Sequence, residues 1–151
     1  MTPWLRCPSV PKTTVNHVGH RVADLDRARH FYVEAFGFEV VRELHPPDQG
    51  TDRLLGLTPP LGMTACYLKR DGFVLELLHF AAAEPVEAPD RTMAQVGLTH
   101  LSFGVDDLDE ACAAVEAAGG EVLPDTNLGM AVFVKDPDGQ LLELLTGWDP
   151  P

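Results

Sequence analysis

Hydrophobic and polar positions follow the same pattern in two stretches of the chain, VNHVGHRVADLDRARHFYVEAFGFEVV and LTHLSFGVDDLDEACAAVEAAGGEVL. Each stretch begins with the period of two that is typical of a strand and continues with the 3.6-residue period of an amphipathic helix. An aspartate precedes each helical pattern and can accept hydrogen bonds from the first free N–H groups, and glycine follows it. The pattern predicts helices near residues 25–36 and 107–118.

The two stretches are copies of one unit at an offset of 83 residues, which aligns His17 with His100. The units also end alike, because KRDGFVLELLHF and DPDGQLLELLTG are Asp-Gly turns followed by apolar strands. Each of these strands contains one acid, Glu76 or Glu143, four residues after the turn glycine. The sequence therefore predicts the order β-α-β-β-β twice, with strands near 15–22, 38–44, 63–70, 73–80, 98–105, 121–124, 129–135 and 140–146.

These repeats divide the chain into an N-terminal extension (1–14), a first module (15–82), a linker (83–97) and a second module (98–148). The first module has 16 more residues between its histidine and its glutamate, which we assign to LHPPDQGTDRLLGLTPPLGM. This segment is rich in proline and glycine and is also apolar. It is either a surface loop or a flap over a site.

Strand alternation separates the two neighbouring histidines of the first module. His17 and Arg21 share one face, whereas His20 lies on the helix side, where the second module has Phe103. The acids of the last strands point away from the leucines beside them, and a carboxylate inside such a strand is costly unless it is paired or bound to a cation. A lone histidine or glutamate is usually a satisfied core residue or a surface residue. Their repetition at matched positions instead favours a divalent metal site, if the modules bring all four residues together.

Composition narrows the class of partner. The formal net charge is −12 and the pI is near 4.7, so an acidic surface would repel a nucleic acid backbone. Three scattered cysteines give no disulfide framework, and no apolar run is long enough to cross a bilayer. We expect a cytoplasmic protein that binds neither nucleic acid nor membrane.

The motifs NHVGHRVADLDRARHFYVEAFGFE, THLSFGVDDLDEA and DPDGQLLELL resemble the vicinal oxygen chelate superfamily, which includes glyoxalase I, extradiol dioxygenases and bleomycin-resistance proteins. The resemblance implies an α+β fold of two tandem βαβββ modules that form a cupped, pseudo-twofold mixed sheet around a metal. It implies one divalent transition metal (Ni, Co, Zn, Mn or Fe) per module pair and a homodimer, with modules that pair within one chain or swap between two. The implied metal ligands are His17, Glu76, His100 and Glu143.

The ligand set most resembles that of glyoxalase I. The resemblance thus implies a lyase or isomerase in which two neighbouring substrate oxygens bind the metal and Glu143 or Glu76 moves a proton. One alternative is a ferrous-iron extradiol dioxygenase with His17, His100 and Glu143 as its triad, and another is a small-molecule binding or resistance protein without turnover. An epimerase of the methylmalonyl-CoA type is disfavoured, because those enzymes usually have Gln at the position of Glu76.

The substrate of such an enzyme would be a small molecule with a hydrophobic portion, because the long segment of the first module is apolar for its length. Glyoxalase I has an arginine at the position of Arg21 that helps to hold glutathione, and the alternative role for this residue is structural. The candidate substrate contacts are Arg21, Arg53, Leu57, Met63, Asn127 and Met130.

Overall fold

A computed structural model describes residues 12–86 and 93–147 of the chain, which form two βαβββ modules in tandem. The first module consists of β1 (Val18–Arg21), α1 (Leu25–Phe36), β2 (Glu39–Leu44), α2 (Asp48–Leu55), β3 (Met63–Arg70) and β4 (Phe73–Phe80). The second consists of β5 (Leu101–Gly104), α3 (Leu108–Ala117), β6 (Glu121–Val122), a 3-10 turn (Pro124–Thr126), β7 (Ala131–Lys135) and β8 (Leu141–Leu145). The predicted α+β fold is confirmed.

Each module has its own four-stranded mixed sheet, in the order β1-β4-β3-β2 or β5-β8-β7-β6. The first strand runs parallel to the last strand of its module, and the remaining neighbours are antiparallel. The cupped sheet implied by the resemblance is therefore present in one chain as two separate sheets. Strands β1 and β5 lie at the open edges of these sheets.

The two main helices begin and end for the predicted reasons. The Asp24 carboxylate accepts a hydrogen bond from the Arg27 N–H at 2.9 Å, and the Asp107 carboxylate accepts one from the Glu110 N–H at 2.9 Å. Gly37 has a φ of 64° and donates its N–H to the last carbonyls of α1. These local caps fix where each helix leaves its first strand, and hence which face of the strand it covers.

One core joins the two modules. Helices α1 and α3 pack against each other, and the ring of Phe36 stacks on that of Phe103 with centroids 4.1 Å apart. A Cβ atom on Gly120 would lie 2.6 Å from the Phe31 ring and 2.7 Å from the Lys135 carbonyl, so only glycine fits at this junction. The leucines of β4 and β8 that flank the two glutamates belong to the same core. The helix sides of the two sheets therefore face each other.

The long segment of the first module, expected to be a surface loop or a flap, contains a short helix that the sequence did not predict. Helix α2 is interrupted at Gln49 and Gly50, whose φ and ψ angles are not helical, and this glycine hides the helical pattern in the sequence. The Asp48 carboxylate accepts hydrogen bonds from the N–H groups of Leu61 and Gly62. These bonds tie the start of α2 to the end of the segment, where Leu61 joins Met63, Ala65 and Phe80 in a second, small core.

Residues 1–11 of the predicted N-terminal extension, residues 87–92 of the predicted linker and residue 148 lie outside the described residues. The exact limits of the modules stay predictions. Within 12–86 and 93–147, no helix has the length and apolar character needed to cross a bilayer.

Candidate metal and catalytic site

The first module brings His17 and Glu76 together. His17 directly precedes β1, and its Nε2 lies 3.0 Å from Oε2 of Glu76 in the neighbouring strand β4. Its Nδ1 lies 2.7 Å from Oδ1 of Asn16. A proton on Nδ1 would satisfy this contact and would leave Nε2 as the nitrogen that faces Glu76. Glu76 is 8% exposed, so its carboxylate is largely withdrawn from water.

The second module repeats the pair in a looser form. His100 directly precedes β5, and its Nε2 lies 3.7 Å from Oε2 of Glu143 in β8. The Ser102 hydroxyl donates to the same carboxylate oxygen at 2.7 Å. His100 Nδ1 lies 2.9 Å from the Thr99 hydroxyl, which can donate or accept. We call the residues around Glu76 the first half-site and those around Glu143 the second half-site.

Strand register gives the two glutamates equivalent neighbours. Glu76 lies between Gly19 of β1 and Tyr67 of β3, and Glu143 lies between Ser102 of β5 and Phe133 of β7. Both histidines meet an aromatic ring edge to face, His17 with Tyr67 at 5.6 Å and His100 with Phe133 at 5.3 Å. The half-sites are therefore structural copies that differ at the two residues flanking the carboxylate.

Tyr67 adds a hydroxyl group to the first half-site that the sequence pattern did not single out. A hydrogen bond from this hydroxyl to Glu76, together with burial, raises the pKa of Tyr67 to about 12. The phenol is thus neutral and acts as a donor to the carboxylate over the whole physiological pH range. A comparison of the two β3-type strands in the sequence would have found it, since Tyr67 and Phe133 occupy equivalent positions relative to the glutamates.

The two half-sites do not meet within one chain. Leu75 and Leu77 beside Glu76, and Leu142 and Leu144 beside Glu143, lie in the core shared by the two modules. The glutamates point away from these leucines, so the half-sites lie on the outer faces of two sheets that are joined through their helices. Among residues 12–86 and 93–147, no three or more histidine, cysteine, aspartate or glutamate side chains converge on a position for a metal ion. The four predicted ligands are therefore present as two pairs.

Each pair nevertheless fits one half of a transition-metal site. It provides one imidazole nitrogen and one carboxylate oxygen, the donor types that suit Ni, Co, Zn, Mn and Fe(II). An unprotonated imidazole nitrogen and an ionised carboxylate 3.0 Å apart repel each other unless a proton or a cation lies between them. The 3.0 Å separation is compatible with either a proton or a cation between the two groups, and a set of four ligands would need a second pair from outside the chain.

A cavity of about 700 Å³ opens along β5 and is bounded by both modules. His100 and Ser102 form part of its wall, so one side of the second half-site is accessible to a ligand or to another chain. The remaining wall is mixed: it includes the rings of Phe36, Phe38, Phe73 and Phe103 and the charged residues Arg70, Asp71, Asp106, Asp107 and Glu110. None of the six predicted substrate contacts lines this cavity.

Arg21 is tied to the protein itself. Its guanidinium donates to the carbonyl oxygens of Val22, Leu78 and Ala83, and its charge lies 4.9 Å from the centre of the Phe80 ring. Burial lowers the pKa of Arg21 from its ordinary value, although the charge of Asp138 opposes this change. These contacts match the structural role that the sequence left open as the alternative to substrate binding.

The other predicted substrate contacts fall into two groups. Met63 is 9% exposed and belongs to the small core beneath α2. The remaining four lie on the surface of the two modules, and they are Arg53, Leu57, Asn127 and Met130. Asn127 accepts a hydrogen bond from the Gly129 N–H in the turn before β7. Met63 thus belongs to the core against which Tyr67 of the first half-site packs, and the roles of all five as substrate contacts stay predictions.

His20 lies on the helix side of β1, as strand alternation predicts, and there it meets an unexpected partner. Its Nε2 is 2.7 Å from Oδ2 of Asp136 in the turn between β7 and β8, and the Tyr32 hydroxyl donates to the same oxygen at 2.9 Å. Asp136 also accepts the N–H groups of Asp138 and Gln140. This network joins the two modules, because His20 and Tyr32 are each more than 100 residues away from Asp136 in the sequence.

Residues 14–144 match the sequence profile of the Glyoxalase/Bleomycin resistance protein/Dioxygenase superfamily, which is most of the chain. The chain belongs to this superfamily. Its fold and its repeated His–Glu pairs agree with that membership.

One relative within the superfamily is the lactoylglutathione lyase of Schizosaccharomyces pombe, which is 30% identical over 142 residues. The match covers 87% of this chain and 47% of the yeast protein, so the chain spans about half of the relative's length. Lactoylglutathione lyase relatives of this kind make this chain a glyoxalase-like member of the superfamily.

Two solved structures extend the comparison. The trypanothione-dependent glyoxalase I of Leishmania major is 27% identical, with a TM-score of 0.65 over 89% of this chain and 87% of the other. The fosfomycin resistance protein FosX of Listeria monocytogenes, solved with Mn(II) and sulfate, is 18% identical. Its TM-score is 0.62 over 91% of this chain and 95% of the other, a likeness of fold alone.

Proposed function

We propose that this protein is a metal-dependent lyase or isomerase of the glyoxalase type, and that two copies of the chain assemble each active site. The observation that carries the proposal is the repetition of one His–Glu pair, at the same register, in the two modules. A lactoylglutathione lyase and a glyoxalase I among its relatives support the reaction class, and the Mn(II) complex of FosX supports a divalent metal in this fold.

In the complete site, His17 and Glu76 of one chain and the His100–Glu143 pair of another would hold the metal. A bound divalent metal supplies Lewis-acid polarisation of two neighbouring substrate oxygens. A glutamate then takes the proton from the carbon beside the carbonyl and returns it to the adjacent carbon, which is isomerisation by general base catalysis. The aromatic rings of Tyr67 and Phe133 cover one side of each histidine and fix its orientation.

The open edges of the two sheets support a homodimer. Strands β1 and β5 each pair with one neighbour only and present their other edge outward. Unpaired edges readily accept another strand. Both edge strands begin next to a candidate ligand, His17 or His100. Pairing of β1 from one copy with β5 from another would therefore join a first half-site to a second half-site and form two sites per dimer.

The metal is tested by loading the protein with Ni²⁺ or Co²⁺ and measuring bound metal together with turnover of methylglyoxal and glutathione. We expect one tightly bound ion per chain, and near-complete loss of binding in His17→Ala and in His100→Ala. His30→Ala, which removes an exposed histidine of α1, is the matched control and keeps wild-type binding. Wild-type protein that binds no divalent metal would sink the proposal, and oxygen-sensitive iron with ring-cleaving activity would favour a dioxygenase instead.

The sharing of sites between chains is tested by mixing the two defective variants. If each site combines the first half-site of one chain with the second half-site of the other, a His17→Ala/His100→Ala heterodimer contains one intact site. Unfolding and refolding an equal mixture should then restore about a quarter of the wild-type metal content, because half of the dimers are mixed and each has one site of two. Recovery of no metal would show that the four ligands act within one chain.

A further inference from the structure

Strand β2 carries an arginine on the same face of the sheet as the first half-site. Arg42 lies directly opposite Tyr67 of β3, which in turn lies opposite Glu76 of β4. Residues opposite each other in neighbouring antiparallel strands point to the same face. Leu44, two positions after Arg42, packs against the small core on this outer face, as strand alternation requires. Arg42 therefore belongs to the row of side chains that contains the candidate ligand Glu76.

A bulge in β2 puts the arginine on this face. The pairing register shifts between Val40 and Arg42, so Val41 is an additional residue in the strand. Val40 lies opposite Leu68, which belongs to the main core on the helix side. Without the additional residue, strand alternation would turn Val41 to the outer face and Arg42 to the helix side. Bulges that re-aim a side chain are frequent next to active sites.

The charge of Arg42 has no partner within residues 12–86 and 93–147, where its side chain is exposed and forms no hydrogen bond or ion pair. Arg21, the other arginine on this face, instead donates to three backbone carbonyl oxygens of its own module. Arg29 of α1, on the helix side of β2, is bound to the carboxylates of Asp26 and Glu43. The formal net charge is −12, yet no described carboxylate lies within ion-pair distance of Arg42.

The second module has no equivalent of this arginine. Phe133 takes the place of Tyr67, and its carbonyl oxygen accepts the N–H of Leu123 at 3.0 Å. An apolar residue thus stands where the first module has Arg42.

The lysines beside these rings differ in the same direction. Lys135 pairs with Glu121, which lies opposite it, with 3.6 Å between Nζ and Oε2. Lys69 is the equivalent residue of the first module and lies opposite Glu39, but these two exposed side chains form no ion pair. The outer face of the first module is therefore the one that offers positive charge to a ligand.

The position of Arg42 suits one end of a small molecule. Neighbouring strands are about 4.8 Å apart, so the backbone of Arg42 lies roughly 10 Å from that of Glu76, and the long arginine side chain can shorten the gap. Contact with Glu76 and burial raise the pKa of Tyr67, and the charge of Arg42 opposes this rise, which places the guanidinium within electrostatic reach of the phenol. The planar fork of a guanidinium matches the two oxygens of a carboxylate.

We propose that Arg42 binds a carboxylate of the substrate, and that the substrate is a small organic acid whose two neighbouring oxygens face the metal. This inference rests on the proposed function, because it assigns a substrate class to that site. It gives the role of anion contact to Arg42 of β2, since Arg21 of β1 is bound to its own module.

The test compares two ligands of the Co²⁺-loaded protein that differ in one carboxylate. The 2-oxo acid group, whose neighbouring oxygens can chelate the metal, is common to 2-oxoglutarate and 2-oxopentanoate, and only 2-oxoglutarate has a carboxylate at its other end. Calorimetry gives their dissociation constants, and the visible spectrum of Co²⁺ reports chelation. We expect the wild type to bind 2-oxoglutarate roughly tenfold more tightly. Arg42→Gln should reduce this preference to less than about twofold and leave Co²⁺ affinity unchanged.

The matched control is Arg29→Gln, which removes the same charge from the helix side of β2 and should keep the full preference. Arg42→Lys retains the charge without the fork and should keep part of it. Equal binding of the two ligands by the wild type, or a preference that survives Arg42→Gln, overturns the inference and leaves the metal site standing. An equal loss in Arg29→Gln would reveal a general effect of net charge and overturns it as well. Wild-type protein that fails to bind Co²⁺ refutes the proposed function itself, and the inference falls with it.

Discussion

The two half-sites have the same candidate ligands at the same register, and they differ in the burial of the glutamate. In the first module, Leu61, which follows α2, forms a second small core with Met63, Ala65 and Phe80. Tyr67 packs against that core, and Glu76 beside it is 8% exposed. In the second module only a 3-10 turn joins β6 to β7, and Glu143 is more open. The carboxylate beside the additional core is thus more buried than its copy in the second module.

The difference shows that a duplicated unit can place the same ligand pair in two different environments. Both modules keep the histidine, the glutamate and the aromatic ring at the same register. The burial of the glutamate and the hydroxyl groups beside it differ between the two modules. Substitutions at three places test the difference between the modules. These places are the glutamates, the turns that follow the third strands, and the residues that flank the glutamates.

The largest effect is expected from exchanging the glutamates for glutamine. Glu143→Gln should lower kcat about 10³-fold, because in the proposed mechanism it removes a general base, whose contribution is commonly 10²–10⁴-fold. The amide oxygen remains a possible ligand, so bound metal should stay near wild type. Glu76→Gln should instead act mainly on Co²⁺ affinity. Steady-state kinetics at saturating metal and calorimetry separate the two effects.

The opposite result has an equally clear signature. If Glu76→Gln abolished turnover at saturating metal and Glu143→Gln did not, the base would lie in the buried half-site. Equal losses of turnover in the two variants would mean that both glutamates contribute equally to the reaction.

The next largest effect concerns the turns that follow β3 and β7. Asp136, in the second turn, accepts hydrogen bonds from His20, Tyr32 and two backbone N–H groups, and it is 3% exposed. Asp136→Ala would leave these donors without a partner, so we expect a loss of about 3 kcal/mol in the free energy of unfolding, measured in urea. Lys69 is exposed at the equivalent position of the first module, and Lys69→Ala should change the same quantity by less than about 0.5 kcal/mol. Similar losses in the free energy of unfolding of both variants would contradict the expected difference between the two turns.

The same network predicts a pH dependence. Burial alone would raise the pKa of Asp136, but hydrogen bonding and charge from His20, with the Gln140 N–H and the Tyr32 hydroxyl, outweigh it and lower that pKa. A carboxylate with a lowered pKa stabilises the fold fully above its ordinary pKa near about 4 and loses this effect as the pH falls through the lower value. The stability difference between wild type and Asp136→Asn should therefore be constant from pH 5 to 7 and shrink below about pH 4. A constant difference down to pH 2.5 would contradict this sign.

Most of the fold was predictable because its signals are local. The predicted limits of α1, β3 and β4 agree with the structure, since a capping aspartate, an Asp-Gly turn and alternating apolar residues fix them within a few positions. Helix α2 was missed because Gly50 interrupts it and because Asp48 is held by N–H groups 13 and 14 residues away. A contact between residues so far apart in the sequence does not produce a periodic pattern of polar and apolar residues.

The contacts of the candidate site within each module were predictable from the sequence, but the position of one module relative to the other was not. Register within a sheet follows from turn positions, so the pairing of His17 with Glu76 and of His100 with Glu143 could be expected. The placement of one module against the other depends on the packing of α1 on α3 and on the bond between His20 and Asp136. Such contacts arise from side-chain shapes that meet only after both modules have folded. Sequence repetition therefore indicated four ligands but not that one chain separates them into two pairs.

The smallest effect is expected where β1 and β5 flank the glutamates. Ser102→Ala removes the 2.7 Å hydrogen bond to Glu143, but that carboxylate is partly exposed and water can replace the hydroxyl, so Co²⁺ affinity should fall only about threefold. The reciprocal change is Gly19→Ser. A Cβ atom on Gly19 would lie 3.6 Å from Oε2 of Glu76 and 3.5 Å from Leu78, which are ordinary contact distances. The serine should therefore fold normally and leave Co²⁺ affinity within twofold of wild type, because Tyr67 already satisfies that carboxylate. If Gly19→Ser instead strengthened binding tenfold, the phenol would not be holding Glu76, and the more buried glutamate would be held no more firmly than its copy.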